Sequence, residues 1–151
     1  MPTLPLKPDS AFSPVQMAEF LISAKVPMRL ACNGSNGFPL VASHWYQYQD
    51  GLLYLAIHSK SHVAALLHKN PNCGFEIAAD TAPYRGVRGQ GTVSLGREGA
   101  GAQLEGLILR YLGSTDSKLA RWLLSRASEE YLVCITPTWI TSWDYSERMD
   151  S

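Results

Sequence analysis

The sequence has no charge surplus of either sign. Among 151 residues, 13 Lys and Arg offset 13 Asp and Glu, giving a formal net charge of zero and an isoelectric point near 6.9. Nucleic-acid binding needs basic residues gathered on one face, and an anionic membrane surface asks for the same, so both are excluded as the main partner. Long hydrophobic runs are missing too, since none approaches the roughly 18 apolar residues of a transmembrane helix. The N-terminal stretch holds Pro2, Pro5, Pro8, Asp9 and Glu19 in place of a basic start and an apolar run, which reads as no secretory signal. A cytoplasmic protein is expected. Cysteine is scarce: Cys32, Cys73 and Cys134 form no C-x-x-C and no disulfide framework. Each sits in an apolar stretch, where a free cysteine acts as a small buried hydrophobe.

What is present builds a core. The chain is 46% hydrophobic and 17% charged, and at this length a domain buries roughly 70% of the surface its unfolded chain exposes. Disorder is thereby excluded for most of it. The expected organisation is one domain over residues 13–151, preceded by a proline-rich N-terminal arm, residues 1–12.

Ser13-Pro14-Val15-Gln16 places a serine N-cap, a proline at the first helical position and the glutamine of a capping box. Met17, Phe20, Leu21 and Ala24 then form one apolar stripe, and the helix should stop before Pro27. From Met28 the period becomes two, predicting strands over 28–33, 40–48 and 52–57, with tight turns at Gly34–Gly37 and Gln49-Asp50-Gly51. A short helix over 62–70 precedes Pro71, and strands follow over 73–79 and 85–95. Leu104 to Leu112 read as a helix closed by Gly113. A further helix opens at Ser114–Ser117 and points Leu119, Trp122 and Leu123 inward, before strands over 131–136 and 139–143. The fold class expected is α+β, mainly β: an antiparallel sheet of six to eight strands, enough to close a small barrel, with flanking helices packed outside.

Familiar catalytic signatures are absent. The glycines at 86, 89 and 91 and at 96, 99 and 101 do not make G-x-G-x-x-G, and there is no P-loop and no H-E-x-x-H. His58 and His62 are four apart, but with His58 assigned to a loop they share no helical face and no metal is expected. Three looser clusters remain. His58-Ser59-Lys60-Ser61-His62 leads from a strand into a helix, where backbone N–H groups, hydroxyls and a lysine suit a phosphate monoester, or where Ser61 is simply an N-cap. In the 85–95 strand, alternation puts Arg88, Gln90, Thr92 and Ser94 on one face. Its internal glycines imply a bulge, a partner subunit or a flat ligand close to the backbone. Ser43-His44-Trp45-Tyr46 sets a polar pair before two large aromatics.

Four segments, NGFPLVASHWYQYQDGLLYLA, SKSHVAALLHKNP, PYRGVRGQGTV and ITPTWITSWD, resemble in order and spacing those of the pyridoxamine 5'-phosphate oxidase-related FMN-binding split barrels. The resemblance runs from about Ser13 to Asp144. It implies a homodimer with FMN in clefts at the subunit interface, and a small-molecule substrate or a nicotinamide electron donor as partner. It puts Ser43, His44, Ala56 and Ile57 along the flavin ring, and Lys60, Ser61 and His62 at the phosphate. Arg88 and Gln90 fall on the strand approaching the flavin or the partner, and Trp143 near the cofactor edge. No residue is assigned as catalytic, although an imidazole, here His44 or His58, is a side chain suited to proton donation.

Two departures accompany the resemblance. Where the family places Arg-Lys or a lone Lys on the phosphate, this chain has Ser61-His62 or His62-Val63. The C-terminal substrate-phosphate segment rich in Arg and Trp is reduced to Arg148, which speaks against pyridoxamine phosphate oxidation. A deazaflavin or haem in the same cleft, or a non-enzymatic flavin-binding sensing dimer, are the alternatives.

Overall fold

The structure is a computed structural model that describes residues 4–149. Its elements run α1 (Pro14–Ser23), β1 (Met28–Asn33), β2 (Pro39–His44), β3 (Gln47–Gln49), β4 (Leu52–His58), α2 (His62–Lys69), β5 (Asn72–Ala78), β6 (Arg85–Gly96), α3 (Ala100–Leu112), α4 (Lys118–Ser125), β7 (Glu130–Asp144) and α5 (Ser146–Met149). A short 3₁₀ turn, Ala127–Glu129, links α4 to β7. Among the described residues, no helix is long and apolar enough to cross a membrane.

Local chemistry explains most boundaries. Ser13 caps α1 through a reciprocal box with Gln16, and Pro14 occupies the first turn. Ser61 and Ser117 cap α2 and α4 by accepting from the amides of Ala64 and Ala120. Gly113 ends α3 in the left-handed region, with φ of 77°.

All seven strands join one antiparallel sheet in the order β2-β1-β5-β6-β7-β4-β3, and the two edge strands do not pair to close it. Alternation on β1, β4 and β5 sends Met28, Leu30, Leu53, Leu55, Ile57, Phe75 and Ile77 into a core that also takes Met17 and Leu21 from α1 and Leu66 and Leu67 from α2. A smaller cluster on the other side of β4 packs Leu104, Ile108 and Ala120 beneath α3 and α4. Residues before α1 run along β7, with Lys7 donating to the carbonyl of Ile140 and Ala11 to that of Ser142.

The strand expected over 40–48 is two strands, and they lie at opposite edges of the sheet. The chain leaves β2 at His44, crosses through Trp45 and Tyr46, and enters β3 at Gln47. Tyr46 makes the break: fully buried, it donates its hydroxyl to the carbonyls of Leu21 and Ala24 at the end of α1, at 2.8 and 2.9 Å. Arg110 of α3 clasps the same place, donating to Tyr46 O, Ile22 O, Leu21 O and Ala24 O. Period-two patterning cannot see this, because the aromatic run reads as strand throughout.

Two further corrections concern the second half. The strands expected over 131–136 and 139–143 are one, β7, which passes Pro137 at a bulge opposite Gln90 and Gly91. The same bulge answers the question set by the β6 glycines: a Cβ at Gly89 would stand 2.5 Å from Trp139 O, and one at Gly91 2.6 Å from Thr136 O. On α4 only Ala120 is buried, whereas Leu119 and Trp122 are about half exposed, at 48% and 53%.

If Arg110 holds the crossing, Arg110→Met leaves the α1 carbonyls short of donors and destabilises the protein by about 3 kcal/mol. Urea unfolding of the two proteins measures this, and a loss under about 0.5 kcal/mol would show that the clasp is incidental.

Candidate functional site

The barrel opens where its strands run out. β3 pairs only with Leu52–Tyr54 of β4, so Leu55–His58 have β7 on one side and no strand on the other. β2 pairs only with β1. Ser43, His44 and Trp45 form one lip of the resulting cleft and Ala56, Ile57 and His58 the other. Leu104 and Leu107 of α3 and Leu119 and Leu123 of α4 complete a largely apolar wall, and Ser61 and Glu130 stand at the polar end. Its volume is about 430 Å³, within the range of small-molecule sites. Trp45 is held flat against Tyr111, with ring centroids 5.1 Å apart and planes 7° apart.

Two buried polar atoms in this cleft have no hydrogen-bond partner, His44 Nε2 and Glu130 Oε2. Leaving such atoms unpaired is costly, and each is open to a further hydrogen bond. Burial lowers the pKa of His44, keeping its imidazole neutral near pH 7. Burial raises that of Glu130, an effect reinforced by the Glu129 charge and opposed by His58 and Arg126. At the mouth, His58 Nδ1 accepts from the amide of Lys60 and its Nε2 faces Glu129 at 3.4 Å. Lys60 Nζ lies 3.6 Å from the other oxygen of Glu129. His58, first, and then Lys60 hold the Glu129 carboxyl below its usual range.

The sequence matches no protein-family model and no curated protein. Solved structures do match. A conserved hypothetical protein of Mycobacterium tuberculosis superposes with a TM-score of 0.78 at 24% identity, over 97% of this chain and 93% of its own. An F420 reductase gives 0.69 at 21% identity, over 82% of this chain and 94% of its own. A Clostridium acetobutylicum protein related to general stress protein 26, of the pyridoxinephosphate oxidase family, gives 0.58 at 20%, over 85% and 91%. The chain has the pyridoxamine 5'-phosphate oxidase-related split-barrel fold. Other split barrels among the matches are described as FAD-binding and haem storage proteins.

Of the residues singled out in the sequence, the split barrel brings Ser43, His44, Ala56, Ile57 and Ser61 to one cleft. Lys60 and His62 flank it as exposed side chains, Lys60 at the turn and His62 at the first position of α2. His58 is the last residue of β4 and not a loop residue. Arg88, Gln90 and Trp143 belong to another part of the molecule. Arg88 and Gln90 are exposed on the outer face of β6 beside Trp139, whose indole donates to Gln90 Oε1 at 2.7 Å. Arg88 also stacks over the Trp143 ring at 5.1 Å.

Sequence reasoning missed Glu130 and the four leucines of α3 and α4. A buried glutamate at the start of a strand leaves no signal beyond the Glu129-Glu130 pair before an apolar run.

An acid whose folded pKa is raised favours folding below its unfolded pKa and loses that contribution as pH rises. Wild type should therefore lose stability relative to Glu130→Gln between the ordinary value of 4.5 and neutrality. Urea midpoints of both proteins at pH 4.5 and 7.5 measure it; a gap that does not change with pH contradicts the burial of this carboxyl.

Proposed function

We propose that the protein is a flavin-dependent oxidoreductase acting on a small molecule, with a flavin-type cofactor, FMN, lying along the cleft between β2, β4 and α3. The single observation that carries this reading is the apolar slot that ends at two buried, unpartnered polar atoms. A flat ring fits between the free edge of β4 and the leucines of α3 and α4, and Trp45 is already locked in plane by Tyr111. The cofactor supplies hydride transfer when bound. The chain supplies the apolar walls that exclude water, free backbone groups of Ala56 on the unpaired edge of β4 to orient the ring, and a neutral His44 able to accept or donate one hydrogen bond. Ser61 and the first amides of α2 face the tail of the ligand.

The working unit is a homodimer. The outward face of β1, β2, β5, β6 and β7 supports this, for it carries Val41 at 62% exposure together with Gly74 and Trp139. Arg88 and Gln90 stand on that face, where the partner would cover them.

A deazaflavin is the second reading, favoured by the engagement of Lys60 with Glu129, which leaves little positive charge for a terminal phosphate. The match to an F420 reductase is consistent with it. A haem reading rests on His44 alone, a neutral imidazole with a free nitrogen.

Titration with FMN, riboflavin and a deazaflavin, followed by flavin fluorescence, tests the proposal. Saturable binding of one of them is expected, and Ala56→Trp, which fills the slot, should weaken it by about tenfold or more. No binding of any flavin at tens of micromolar, or an unchanged affinity in Ala56→Trp, rejects the assignment.

A further inference from the structure

The ring end of the cleft suits a flavin, but the tail end does not suit a phosphate dianion. Glu130 lies there, 7% exposed, with one carboxyl oxygen unpaired. It is the cross-strand neighbour of His58, three residues before Ser61, and it lines the same cleft as Ser61. The one lysine of the turn, Lys60, is 80% exposed and faces Glu129 at 3.6 Å. Arg126, the other cation near Glu130, has its guanidinium over the Trp122 ring at 4.6 Å. His62 and His58 complete the ionisable groups at this end, and His58 is directed at Glu129. The tail therefore meets the first amides of α2 and a buried carboxylate acceptor, but no dedicated cation.

We infer that Glu130 selects the tail of the ligand, accepting a hydrogen bond from an uncharged hydroxyl and disfavouring a phosphate monoester, so that the site takes an unphosphorylated flavin as readily as FMN. The inference rests on the flavin reading. Its physical basis is simple: a carboxylate at low exposure repels a dianion far more strongly than a solvated one does, whereas a polyol hydroxyl supplies the missing donor. The preference belongs to the ionised carboxylate, because protonation removes the repulsion and turns one oxygen into a donor.

Binding of FMN and riboflavin to the 151-residue chain, measured in parallel by fluorescence at pH 7.5, tests this without any turnover. In wild type the two dissociation constants should agree within about threefold, and Glu130→Gln should shift the preference toward FMN by about tenfold, the effect of removing one nearby charge. FMN bound about tenfold or more tightly than riboflavin by wild type overturns the inference, as does a preference that Glu130→Gln leaves unchanged. The wild-type comparison stands even if the variant fails to fold. Failure of both flavins to bind rejects the flavin reading itself, a different result from strong FMN preference.

Discussion

The guanidinium of Arg110 supplies donors to carbonyls that α1 leaves unpaired at its C-terminus, and the path of the chain from one sheet edge to the other depends on it. α1 has no basic residue in its own last turn, so the charge that offsets its dipole arrives from α3, about 90 residues later in the chain. The same side chain donates to Tyr46 O at 3.1 Å, and the Tyr46 hydroxyl returns to the carbonyls of Leu21 and Ala24. Tyr111 adds a bond from its hydroxyl to Val26 O and carries Trp45 on its ring. Helix end, crossing segment and α3 are thus fastened at one point.

The cleft follows from that fastening. Because the chain turns inward at Tyr46, β3 starts late and covers only the first half of β4. The second half is left with a free edge facing Ser43 and His44, and α3 and α4 roof the gap with leucines. Apolar walls then desolvate whatever polar groups remain, which is why His44 and Glu130 shift in opposite directions, each toward its neutral form. The site is built from one break in a sheet and the dielectric that results.

Much of this was legible in the sequence, and the exceptions have physical reasons. Serine caps, the Asp50-Gly51 turn and strict alternation put β1, β4, β5 and β6 within a residue or so of their expected bounds, because local rules decide them. The β2–β3 break was hidden, since it is imposed by Arg110 and Tyr111 from far along the chain. On α4 the stripe of Leu119, Trp122 and Leu123 reads as core, yet Leu119 and Leu123 border a cleft, and a cleft wall has the same pattern as a core face. Ser43, His44, Ala56, Ile57 and Ser61 came from motif resemblance and converge in space. Glu130 did not, because burial of a lone carboxylate is a tertiary fact.

Mapping backbone amide shifts while riboflavin is titrated into the isotopically labelled protein tests the central claim, that the gap between β2 and β4 is the ligand site. The largest shifts should fall on His44, Ala56, Ile57, Ser61 and Glu130 and saturate together. Shifts confined to the outer face around Arg88 and Gln90, with the cleft amides unmoved, would contradict it.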